Sequence, residues 1–195
     1  KQAKYSAAIS DSKINKAASF ETNKENIFAS QDYNSDNIDD TNPDKYTNYL
    51  NIAYIYLGEI SNDPELANRI EVLMDEAMKN LDDNAEVLNS QFPADRGVKY
   101  YNGQYSGVMY SVYTELAENA DDAGQQLHYY NSAANSAALY LNSLDIEGEN
   151  ATETSKKAYS EYSVNEAETY IKMAENSGDD SYYDEAERIY GNAET

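Results

Sequence analysis

The chain has no cysteine, so disulfides, thiol catalysis and cysteine-ligated metal are all unavailable to it. His128 is the only histidine, which leaves a single position for the side chain most used as a general base. Lys and Arg number 14 against 36 Asp and Glu, for a formal net charge of −22. That shortage of cations argues against nucleic acid as a partner, because neutralising phosphates takes Lys and Arg. It argues in the same way against anionic membrane surfaces. No apolar run approaches the roughly 20 residues that span a bilayer, so no membrane insertion is expected. There is no GxSxG, no glycine-rich phosphate loop and no HExxH. Any two of the 36 acids could pose as a glycosidase pair, so none is singled out. No catalytic residue is assigned, and the chain is expected not to be an enzyme.

Large aliphatics are scarce too. Leu, Ile, Val and Phe make up about a sixth of the chain, a level that with this charge would ordinarily mean disorder. Twenty tyrosines and many alanines reverse that expectation. Tyr buries a large ring while its hydroxyl stays wet, and Ala recurs here at helical spacing. Small residues packed against large ones build a thin core between close helices. The acidic, Tyr/Asn/Ser-rich, cysteine-free composition fits an extracellular or cell-surface protein. The opening at Lys1 fits a processed N-terminus.

Along the chain, apolar spacing predicts a first helix over 2–21, then an acidic loop over 22–42. Asn42-Pro43 starts a helix carrying Tyr46, Tyr49, Leu50, Ala53, Tyr54, Leu57 and Ile60. Asp63 is the expected N-cap of the next helix, about 64–82, with Pro64 in its first turn. A short helix near 84–91 and a breaker at Pro93–Gly97 follow. Further pairs are expected at 100–120 with 122–143, and at 152–176 with 180–194. Tyr56, Tyr113 and Tyr170 are 57 residues apart, as are Asn62, Asn119 and Asn176, so three related helix pairs are expected.

The last pair is the most informative. Tyr170, Met173 and Ala174 are followed by Ala186, Tyr190 and Ala193, a large–small alternation across two antiparallel helices. Over 166–193 this resembles a tetratricopeptide (TPR) repeat, although a 57-residue period exceeds the usual TPR repeat of about 34. The resemblance implies an all-α, TPR-like antiparallel helix-hairpin repeat, an α-solenoid of about seven main helices. The expected organisation is one helical-repeat domain over 1–195, with hairpin units at 43–99, 100–151 and 152–195.

Three candidate sites stand out. Asp32, Asn34, Asp36, the Ile38 carbonyl and Asp40 have the alternating oxygens of an EF-hand or dockerin calcium loop. Pro43 replaces the usual twelfth-position Glu, and a plain solvated acidic loop is the favoured reading. Calcium is therefore the one cofactor suggested, and none is required. Asn150-Ala151-Thr152 is a glycosylation sequon at Asn150. Tyr182, Tyr183, Ile189 and Tyr190 at one end, with Tyr5 and Phe20 at the other, are expected to form an interface. Two functions follow. One is a structural subunit whose copies join end to end into a filament, tube or surface layer, since a heterologous contact that does not close propagates. The other is a TPR-like scaffold that binds a protein or peptide, preferably a basic one.

Overall fold

A computed structural model describes residues 39–61, 63–92, 96–147 and 151–193, and every regular element among them is an α-helix. In order these are α1 (Pro43–Leu57), α2 (Glu65–Asp83), α3 (Ala85–Gln91), α4 (Val98–Glu118), α5 (Ala123–Ser143), α6 (Glu153–Ser177) and α7 (Ser181–Ala193). The all-α expectation holds, and each boundary lies within a few residues of its predicted place. The helix expected over 2–21 lies outside the described residues.

Short polar side chains set the helix starts. The Asn42 side chain accepts the Asp44 amide at 3.0 Å, and Pro43 occupies a first-turn position where its missing N–H costs nothing. Asp63 accepts the Glu65 amide at 3.2 Å, Asp122 the Gln125 amide at 2.9 Å and Thr152 the Ser155 amide at 3.0 Å. α6 stops at Gly178, whose φ of 71° lies in the left-handed region that glycine enters without penalty. Its amide closes on the Ala174 carbonyl at 2.8 Å.

Short connections make hairpins of α1–α2, α4–α5 and α6–α7, and α5 also packs on α6. α4 is the hub, because it additionally touches α1, α2 and α3. A shift of 57 residues carries α1 into the span of α4 and then of α6, and carries α2 onto α5 and then towards α7. Ile60, Ala117 and Ala174 are equivalent under that shift, and all three are buried. Asn119 lies just past the end of α4 and Asn176 in the last turn of α6, while Asn62 is outside the described residues.

The main core fills the space among α1, α2, α3 and α4, around Tyr46, Ile52, Ile70, Met74, Leu88 and Tyr105. Tyr105 is fully buried, and its hydroxyl donates to the Tyr46 carbonyl at 2.8 Å, tying α4 to α1. Two smaller clusters hold the remainder: Ala117 with Tyr130 and Met173, and Ala167 with Ala186 and Ile189. Buried Ala133, Ala134 and Ala137 keep α5 slim enough for its neighbours to approach. One register expectation needs correcting. Tyr54, assigned to the inner stripe of α1, is 50% exposed, while Ile52 is 1% exposed. α1 is covered by both α2 and α4, so its buried arc is wider than one stripe and is centred elsewhere.

Candidate functional site: a tyrosine face across four helices

Three helices bring tyrosines together. On α5 and α6, Tyr140 and Tyr162 lie with ring centroids 3.9 Å apart and planes inclined by 31°. Tyr110 of α4 presents its edge to Tyr162 at 5.8 Å. α4 leaves room for them at Gly107, where a Cβ would stand 3.1 Å from the Tyr162 hydroxyl and 3.2 Å from Tyr140 Cδ2. Two further tyrosines are open, Tyr54 of α1 at 50% exposed and Tyr100 of α4 at 36% exposed. Desolvation, then Tyr140 and Tyr100, raise the pKa of the Tyr54 hydroxyl. Burial, then Tyr140, Tyr54, Tyr110 and Glu161, push that of Tyr162 up to about 12. Tyr140 is itself buried, at 9% exposed, which leaves Tyr54 and Tyr100 as the open rings.

The polar fittings are few. Gln104 hydrogen-bonds the Tyr140 hydroxyl, and Glu161 brings a carboxylate close enough to act on both Tyr140 and Tyr162. Arg96 lies over the Tyr100 ring, 5.9 Å from its centroid. With Tyr54, Tyr140 and Tyr162 all raised above the ordinary tyrosine value, these phenols stay neutral at physiological pH. Chemically the open rings of Tyr54 and Tyr100 offer apolar faces and hydroxyls that donate and accept. Such a surface stacks and hydrogen-bonds.

The predicted sites fall as follows. Asp32, Asn34, Asp36 and Ile38 of the calcium loop lie outside the described residues. Asp40 is described, and its carboxylate is held by the ammonium of buried Lys45 and by Asn80 Nδ2 at 3.4 Å. Its carbonyl accepts the Tyr46 hydroxyl at 2.6 Å. A calcium ion at Asp40 would compete with Lys45 for the same oxygen. Among the described residues, no group of three His, Asp or Glu side chains is placed to hold a metal ion.

Tyr5, Phe20 and Asn150 also lie outside the described residues, and the sequon's Thr152 serves as the N-cap of α6. At the other end, Ile189 is buried against Ala167 and Ala186, with Tyr190 half-buried beside it. Tyr182 lies 6.2 Å from Tyr170, so its ring is also partly engaged, and Tyr183 is the exposed member. His128 is exposed on α5, 5.6 Å from Tyr129.

The meeting of Tyr110, Tyr140 and Tyr162 was not readable in the sequence, where twenty tyrosines give no hint of which ones meet. The one available signal was the Tyr100-Tyr101 doublet, which on a helix must point one ring out and one in. Tyr101 is indeed buried and Tyr100 open.

The chain matches no family model, no curated protein and no solved structure. The class rests on fold and surface: an all-α chain of packed helices bearing a tyrosine face. Among the described residues, no helix is long and apolar enough to cross a membrane.

Proposed function

We propose that this chain is a non-catalytic, TPR-like scaffold that binds a protein or peptide segment along the tyrosine face. The observation that carries this is the packing of Tyr110, Tyr140 and Tyr162 from three helices, with further tyrosines, Tyr54 and Tyr100, left open on α1 and α4. Rigid amphipathic aromatics are enriched where proteins meet, and a local aromatic patch rimmed by polar groups is a usual mark of such a site. The solenoid part of the reading draws on the 57-residue correspondence of helices and on the small residues where they touch. The extracellular or cell-surface setting is proposed from composition.

End-to-end assembly draws less support from the geometry. It relied on Ile189, Tyr182, Tyr183 and Tyr190 as an open apolar end. Ile189 is turned inward, and the outward positions of α7 include Ser181, Asp184, Glu187, Arg188 and Asn192 around Tyr183. Twenty-two net negative charges per copy also oppose stacking.

Panning a random peptide library against the intact chain separates the two readings. The scaffold reading expects enriched peptides that lose binding to the Tyr54→Ser/Tyr100→Ser double variant. Light scattering that grows with protein concentration, without any enriched peptide, would instead establish assembly.

A further inference from the structure

We propose that α7 is a pH-gated helix: it rests on α6 in mildly acid solution and swings away from it about Gly178 as the medium becomes alkaline. Such a gate needs a helix that is lightly held, a joint that can open and a charge that develops inside the contact. The α6–α7 hairpin has all three.

Ala186 and Ile189 are the residues that α7 buries, and they meet Ala167 of α6 with Tyr170, Ile171 and Tyr190 packed around them. This contact is small beside the cluster that joins α1 to α4. α7 has 13 residues, a length at which an isolated helix is marginal in water, so it keeps its form mainly by staying docked. Residues 178–180 are the whole connection. Gly178 sits there at a φ of 71°, with nothing within 4 Å of the place a Cβ would take, so the joint turns without breaking a packed side-chain contact.

The charge is that of Glu166. Helix geometry puts it one turn before Tyr170 and next to Ala167, in the part of α6 that α7 covers, and it is 8% exposed. Glu185 and Arg188 flank Ala186 and Ile189 on α7, and both act on Glu166. Arg188 is already committed: its Nε donates to the Glu185 carboxylate at 3.0 Å and a second nitrogen donates to the same group at 2.5 Å. One cation therefore serves two acids. α5, packed on another side of α6, carries no Asp, Glu, Lys or Arg, and its histidine, His128, is exposed. From α4, Tyr110 donates to the Asn165 carbonyl at 3.4 Å, and Glu118 takes up Lys172 of α6. Neither helix brings a free cation to Glu166.

Burial pushes the Glu166 carboxyl up from 4.5 to about 7, so docked α7 keeps on Glu166 a proton that released α7 lets go. Below pH 4.5 both states hold the proton and docking is unopposed. Between pH 4.5 and about 7 the docked state loses ground, and above that range it carries the full cost of a buried charge. Release lets water reach the carboxylate and uncovers the strip of Ala167, Tyr170 and Ile171.

The test is amide hydrogen exchange of the intact chain, followed by mass spectrometry at about pH 5.5 and about pH 8.5 and corrected for the intrinsic pH dependence of exchange. Protection of α7 is expected to fall about tenfold or more between the two, while protection of α1 to α4 stays level. Glu166→Gln should hold α7 protection at the higher pH close to its value at the lower. Glu185→Gln should retain part of it, since Arg188 is then free to neutralise Glu166. Glu168→Gln, which removes an exposed acid from the same helix, should leave the fall unchanged. Circular dichroism checks that each variant stays helical, and Glu185→Gln carries the test if Glu166→Gln does not fold.

Protection of α7 that does not change with pH overturns the inference. So does a fall that Glu166→Gln fails to prevent, or one that Glu168→Gln prevents equally, because general relief of negative charge would then explain it. An equal loss across α1 to α4 is a loosening of the whole molecule and overturns the gate as well.

Discussion

Gly103 marks the closest approach of α4 and α5, where an added Cβ would run into the Ser143 side chain. In an open helix interior, Gly→Ala stabilises by about 1 kcal/mol. Here the methyl has no room, and overpacking a close contact costs about 1–3 kcal/mol. Gly103→Ala is therefore expected to lower stability, with Ser143→Gly in the same chain restoring part of the loss; a denaturant-unfolding cycle of the four proteins reads the coupling. A stabilised Gly103→Ala single variant would show that the two helices can separate at no cost. Tyr105 shows the opposite use of space. It fills the core completely, and its one polar atom is satisfied by the Tyr46 carbonyl across two helices.

Between α6 and α7, Glu166 is only 8% exposed although it is a carboxylate. Burial raises its pKa from the ordinary 4.5 to about 7; Arg188 on α7 pulls it down and Glu185 on the same helix pushes it up. Tyr170, one turn along α6, is itself raised partly by the Glu166 charge. Because the native pKa exceeds the unfolded one, the native state keeps a proton that the unfolded chain gives up between about pH 4.5 and 7. Stability should therefore fall as pH rises through that window, with the full penalty present above it. Glu166→Gln is expected to match the wild type near pH 5 and to be more stable at pH 8.5, by on the order of 1–3 kcal/mol in urea unfolding. Parallel pH profiles for the two proteins would remove Glu166 from this role. Helix starts were legible because Asn42, Asp63, Asp122 and Thr152 carry their capping chemistry locally. The pairing of α4 with α5 was legible as one expected hairpin, whereas the packing of α5 on α6 was not. The inward turn of Ile52, the burial of Glu166 and the meeting of Tyr140 with Tyr162 were not legible either. A helix with two neighbours buries two overlapping arcs, and a single period in the sequence reports only one of them. The tyrosine face depends on residues 110 to 162 coming together, which local spacing cannot encode.

Across the whole molecule, repulsion among 36 acids is only partly relieved by ion pairs. The pairs Lys99–Asp145 and Lys172–Glu118, both at 2.7 Å, are largely exposed and so contribute little. Raising NaCl from about 0.01 M to about 1 M shrinks the screening length from roughly 30 Å to roughly 3 Å. The melting temperature is expected to rise over that range, and a fall would mean that attractive pairs outweigh the repulsion. The core itself is uneven: α1 to α4 share one large cluster, whereas α6 and α7 are secured by two small ones. Amide hydrogen exchange should accordingly be fastest in the C-terminal hairpin. The tyrosine face bridges this difference, with Tyr110 of α4 on the well-anchored side and Tyr162 of α6 on the weakly anchored one. An occupant touching both would act as a brace, lending the loosely held hairpin a share of its binding free energy and making order at one end of the molecule a readout of occupancy at its middle.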